Sequence, residues 1–130
     1  MAWGGERDLK VLLSRMAPQL SHRQWTFQPI SDLGSLPEDA FALIREEEGL
    51  CCILPGAAMK PDAPTFAKIT LQVHSDLEAV GLTAAVATAL ASSQIPCNVV
   101  AGLRHDHIFV PWNSRHQALD LLERLRIDAA

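Results

Sequence analysis

The sequence is short of the features that mark several large protein classes. No apolar run approaches the roughly 18–20 residues that a membrane-spanning helix needs. The opening residues Met1-Ala2-Trp3-Gly4-Gly5-Glu6 lack the basic start and apolar block of a secretory leader. A cytoplasmic protein without a membrane partner is therefore expected. Basic charge is in deficit, since 11 Lys and Arg stand against 15 Asp and Glu for a net charge of -4. The basic residues are scattered and form no stripe that could track phosphates, so nucleic acid is not an expected partner. Cys51, Cys52 and Cys97 are an odd number without a CxxC spacing. Each lies in an apolar run, where reduced thiols pack as small hydrophobes. Ser75, Ser92, Ser93 and Ser114 sit in no nucleophile-elbow pattern, and no cysteine has a recognisable base beside it. The reading is non-enzymatic, with no catalytic residue, no metal and no cofactor.

What is present is an ordinary globular composition, 48% hydrophobic and 20% charged over 130 residues. That length fits one domain or two very small ones lying against each other. Asp8 to Leu20 places Leu9, Leu12, Leu13, Met16 and Leu20 at spacings of three and four behind an Asp N-cap, which predicts an amphipathic helix that could end near Pro18. Gln24 to Ile30 alternates as a short strand, and Ser35-Leu36-Pro37-Glu38 has the ingredients of a helix start. Phe41 to Leu54 admits helix, favoured by Glu46, Glu47 and Glu48, or a hairpin turning at Glu48-Gly49. The hairpin is preferred, because both flanks are strand-length and Gly supplies the turn. Pro55 to Pro64, with three prolines and a glycine, divides the chain into halves of residues 1–64 and 65–130.

Beyond the division, Phe66 to Val73 alternates strictly, with Ile69, Leu71 and Val73 opposite Lys68, Thr70 and Gln72. Leu82 to Ser92 is an alanine-rich helix with Leu82, Val86 and Leu90 on one stripe. Ile95–Ala101 and His107–Val110 form a hairpin across residues 102–106. A last helix carries Leu119, Leu122 and Leu125 and is capped by Asn113 or Ser114, with Gln117 in capping-box position. The second half thus reads β-α-β-β-α, five of the six elements of a ferredoxin-like unit, with the final strand missing. Elements of the first half could complete a shared sheet, so residues 8–20 are not expected to be a dispensable tail.

The turn His74 to Gly81 carries the main functional signal. It lies at the C-terminal end of a strand, where open sheets commonly bind ligands. The helix that follows offers unpaired N–H groups and the positive end of its dipole to a carboxylate or similar anion. Gly81 would let such a ligand approach the backbone, whereas an ordinary strand-to-helix turn would use Gly for its conformation alone. Asp76 and Glu78 could form a carboxylate pair near this site, with Asp76 counted among the ligand-binding candidates, although acids at a helix start ordinarily serve capping and the dipole. His105 and His107 would share a face if extended, but a zinc site ordinarily takes three or four protein ligands. Asp106 reads as a turn residue between solvated histidines.

Gly81-Leu82, Val86, Leu90, Ile95, Cys97 and Asn98 follow the pattern of ACT domains. VHSDLEAVGLTAAVATAL, NVVAG and HDHIFVP further resemble small bacterial proteins with two tandem ACT-like halves. The resemblance implies an α+β, ferredoxin-like fold of two β-α-β-β-α units, with antiparallel sheets and helices packed on one face. It also implies a regulatory homodimer that binds a small molecule, with an amino acid the best candidate. Carried over by position, Ala79, Val80, Gly81 and Leu82 would contact the ligand through their backbone, and Asn98 and Val99 would line the site. The alternatives are a protein-interaction or dimerisation module that keeps the fold without a ligand, and a His-dependent metalloprotein.

Overall fold

The computed structural model describes residues 4–57 and 61–130. The first three residues of the opening segment, and residues 58–60 within the 55–64 connection, lie outside the described residues. In chain order the elements are α1 (Leu9–Ser14), β1 (Pro18–Leu20), β2 (Trp25–Ile30), β3 (Ala42–Glu46), β4 (Gly49–Pro55), β5 (Phe66–Leu71), α2 (Leu82–Ala91), β6 (Asn98–Ala101), β7 (Asp106–Pro111) and α3 (Arg115–Ala129).

The seven strands among the described residues make one sheet in the order β3-β4-β2-β5-β7-β6, with β1 also paired to β5. Every ladder is antiparallel. The register explains how two halves share one sheet. β2 meets β5 only at Trp25 opposite Phe66, while β1 takes the far end of the same edge, with Pro18, Gln19 and Leu20 opposite Leu71, Thr70 and Ile69. The strand missing from the second half is therefore supplied by β1, from before residue 21.

That strand lies inside the stretch expected to be helical. α1 starts as expected, with Asp8 Oδ1 accepting the Val11 N–H at 3.0 Å, but it stops at Ser14. Ala17 adopts φ 45°, and Pro18 then opens β1, because proline cannot donate to a continuing helix. Leu20 keeps its place in the apolar pattern by pairing in the sheet. The hairpin reading of residues 41–54 holds, with Glu46 opposite Gly49 across a two-residue turn. Further on, the helical start expected at Ser35 falls earlier, as a short 3-10 turn at Leu33–Ser35 capped by Asp32. Residues 95–97 stay out of the β6 ladder, since Gln94 has φ 58° and Pro96 has no N–H. α3 begins after a 3-10 turn, and Ser114 makes no side-chain cap bond, so the expected capping box does not form.

The three helices pack on one another over one face of the sheet. There Leu12, Met16, Ile69, Val86, Leu90 and Leu122 are fully buried, each worth about 1.5–3 kcal/mol of transfer free energy. The opposite face carries a second, aromatic cluster, in which Trp25, Ile53 and Phe109 are buried with Phe41, Phe66 and Val100 against them. Phe41, next to β3 at one end of the strand order, stacks edge-on against His107 and Phe109 of β7. The sheet therefore curls over its helix-free face. All three cysteines are free thiols, Cys52 buried and Cys51 and Cys97 half-buried, and burial pushes each thiol up from its ordinary value.

Candidate functional site

The segment between β5 and α2 is fixed by the first half of the chain. Glu6 pairs with Ser75 in a parallel bridge. The Glu6 N–H donates to His74 O at 2.8 Å, and the Asp76 N–H to Glu6 O at 2.9 Å. Asp76 Oδ1 accepts the Glu78 N–H at 2.8 Å, folding the loop back on itself. Arg7 reaches Glu78 at 3.0 Å and Asp76 at 3.8 Å, so the Asp76 carboxylate is partly offset before any ligand arrives.

α2 then opens at Gly81, whose φ of 108° is in the left-handed region that glycine enters freely. A Cβ at this position would stand 2.9 Å from Leu9 Cδ2. The space that a Cβ at Gly81 would take is thus filled by Leu9 of α1, while Gly81 itself still borders the open side of the turn. The glycine serves the turn and the contact between halves. What the turn leaves open is the first turn of α2. The first helical bond is Ala85 N–H to Gly81 O and no side chain caps the helix, leaving the amides of Leu82, Thr83 and Ala84 without a partner among the described residues.

Leu82 and Thr83 border a cleft of about 170 Å³ that is also lined by Asp76, Ala79, Gly81, Gly102 and Asp106, among others. Four residues singled out from sequence, Asp76, Ala79, Gly81 and Leu82, meet there. The other three do not. Val80 is 83% exposed, Val99 packs into the helix-side core, and Asn98 shares the register position of Phe109 on the opposite face. β6 contributes its end instead, through Ala101, which lies opposite Asp106.

Asp106 is the residue that the sequence reading placed elsewhere. It is the first residue of β7 and half-buried, and burial pushes its carboxyl up, opposed by the neighbouring His105. Its neighbours are not solvated histidines. His105 Nδ1 lies 3.3 Å from Val73 O, and His107 Nδ1 lies 2.9 Å from Thr70 Oγ1 under the Phe41 ring. The two histidines thus have separate partners, and no group of three metal-ligating side chains comes together among the described residues. A signal for Asp106 did exist: an acid at the mouth of a Gly-containing hairpin adjoining the helix-start turn. Only the β5-β7 register shows that the two turns face each other.

No helix among the described residues is long and apolar enough to cross a membrane. A search of curated proteins returns no match. Among solved structures, a Vibrio cholerae protein of unknown function, described as a possible transport protein, is 41% identical. The match covers 87% of this chain and 92% of that one, with a TM-score of 0.75. An Agobacterium tumefaciens protein at 18% identity, covering 80% of this chain and 84% of its own, has a TM-score of 0.62 and supports the fold alone. ACT-domain family models match residues 4–60 and 63–124. With the ferredoxin-like sheet and one-sided helix layer already described, these matches place the chain in the ACT-domain family, as a small protein with two tandem ACT domains.

Proposed function

We propose that this ACT protein is a non-catalytic regulator that binds an amino acid in the cleft at the start of α2. ACT domains are commonly regulatory and ligand-binding, and the observation that carries the assignment to this cleft is its two-sided polarity. The uncapped start of α2 borders it through Leu82 and Thr83, and Asp106 lines it from the β6-β7 hairpin. An amino acid is a zwitterion. Its carboxylate suits the helix start, and its ammonium suits a half-buried acid that burial desolvates and His105 offsets only in part. A volume of about 170 Å³ favours a small side chain. We place the protein in the cytoplasm as a homodimer. β3 supports the dimer, being an edge strand whose Leu43 and Ile44 are each 38% exposed, a surface suited to continuing the sheet in a second copy.

The test is a thermal-shift screen of the twenty amino acids at millimolar concentration. At least one is expected to raise Tm, by the equivalent of about 2.7 kcal/mol at a hundred times Kd. Asp106→Asn is expected to weaken that ligand by about tenfold to a hundredfold, as for a lost charged hydrogen bond, while raising the Tm of the ligand-free protein because a half-buried carboxylate is gone. A flat screen would favour a ligand-free interaction module, and a monomer in light scattering at all concentrations would refute the dimer.

A further inference from the structure

The helix-free face of the sheet holds a second polar feature, separate from the cleft at α2. Lys68 points away from the helices, and its Nζ stands 4.3 Å from the centre of the Trp25 ring and 4.5 Å from that of Phe41. The guanidinium of Arg23 also lies over Trp25, at 6.0 Å. Two cations thus converge on one indole. Asp39 approaches Arg23 at 3.8 Å, but among the described residues no carboxylate pairs with Lys68. A ring face attracts a cation by about 0.5–2 kcal/mol, yet it does not cancel the charge as an anion does. Burial and the charge of Arg23 accordingly hold the Lys68 ammonium below its ordinary pKa.

Beside the lysine is a cleft of about 300 Å³ lined by Gln19, Ser21, His22, Lys68, Thr70 and Gln72, together with the apolar Leu20. Thr70 Oγ1 is engaged with His107 Nδ1 and Gln72 Nε2 donates to Gln19 Oε1 at 2.6 Å, which leaves the remaining amide protons of Gln19 and Gln72 and the Ser21 hydroxyl to donate, and no acid lines the cleft. This is notable in a chain with a net charge of -4. The walls come from both halves of the chain: Gln19 lies on β1 and Ser21 and His22 follow it, while Lys68, Thr70 and Gln72 lie on β5 and just beyond it.

We propose that this cleft binds a small oxyanion, a phosphate or carboxylate group, with Lys68 as its charged anchor and the surrounding hydroxyls and amides completing the hydrogen bonds. The anion neutralises Lys68, the cation that has no carboxylate partner among the described residues, and ties the β1 segment to β5. It gives the protein a second effector site on the face opposite the amino-acid cleft.

The experiment follows the Lys68 side chain in the intact protein. Lys10, Lys60 and Lys68 are the only lysines in the sequence, so the ε-carbon resonances of labelled protein can be assigned with the Lys68→Arg variant. Inorganic phosphate and, separately, glutarate are titrated at constant ionic strength, with chloride as the reference ion. The expected result is a saturable shift of the Lys68 resonance and a rise in its pKa with at least one of the two. Phosphate alone would indicate a phosphate group, and glutarate alone a carboxylate. The Lys68→Gln variant is expected to lose about tenfold or more in affinity by thermal shift, and His22→Ala, at an exposed position, to lose less. A Lys68 resonance that responds to phosphate and glutarate no differently from chloride overturns the proposal without need of any variant. So does unchanged affinity in a folded Lys68→Gln protein.

Discussion

The two faces of the sheet solve the burial problem with different residues. Under the helices the core is aliphatic and dry: Leu12, Met16, Ile69, Leu90 and Leu122 are wholly inaccessible. On the other face the cluster is aromatic and mixed. Phe27 remains 40% exposed, and Lys68 and His107 sit among the rings. The difference shows where the chain spends apolar surface on stability alone and where it keeps polar groups at the cost of a tighter core. Fully desolvated polar side chains are costly without partners, so the polar groups kept among the rings mark this face as a second place to look for binding, beside the cleft at the start of α2.

The largest expected effect tests whether the helix side carries most of the stability. Leu12→Ala removes a fully buried side chain from the short helix that joins the halves, and should cost about 2–5 kcal/mol in urea denaturation. Phe27→Ala on the other face removes a ring that stacks edge-on with Phe66 and Phe109 but is already partly in solvent. It should cost about 1–2 kcal/mol. Equal losses would abolish the distinction between the faces.

A second, intermediate effect concerns the seam at the start of α2. Gly81→Ala meets two obstacles, a φ of 108° and a Cβ placed 2.9 Å from Leu9 Cδ2. Backbone strain of this kind costs about 1–3 kcal/mol. Leu9→Ala in the same chain should recover the steric part alone, seen as a favourable coupling of about 0.5 kcal/mol or more in a double-mutant cycle. Strict additivity would show that Leu9 does not press on Gly81 in solution.

Much of the helix-side architecture was legible because periodicity reports on one face at a time. Ile69 and Leu71 alternating with Lys68 and Thr70 gave β5, and the Leu82, Val86, Leu90 stripe gave α2. The absence of a final strand implied that the first half lends one. That strand was hidden within residues 8–20, because Leu20 follows Met16 at helical spacing although Pro18 interrupts the helix between them. At the cleft, local sequence located the Gly81 turn but could not say that Leu9 covers it or that Asp106 lies across it, since both facts depend on long-range register. The curl that brings Phe41 onto His107 and Lys68 has no local signature either: each strand read alone shows a polar side, and only the assembled sheet shows that side folding inward.

The smallest expected effect bears on that inward fold. Burial, with the charges of Lys68 and His105 nearby, holds His107 below its ordinary pKa of 6.5. Between that value and the lower one in the folded protein, the unfolded chain binds a proton that the native chain refuses. Stability from this residue is therefore complete above about pH 6.5 and falls as pH drops through the window. His107→Asn keeps a polar group near Thr70 without the titration, so its Tm should decline less steeply than wild type between about pH 7 and 5. Identical slopes would mean that the aromatic face is open enough to solvate an imidazolium, and the contrast between the two faces would be one of composition and not of solvent access.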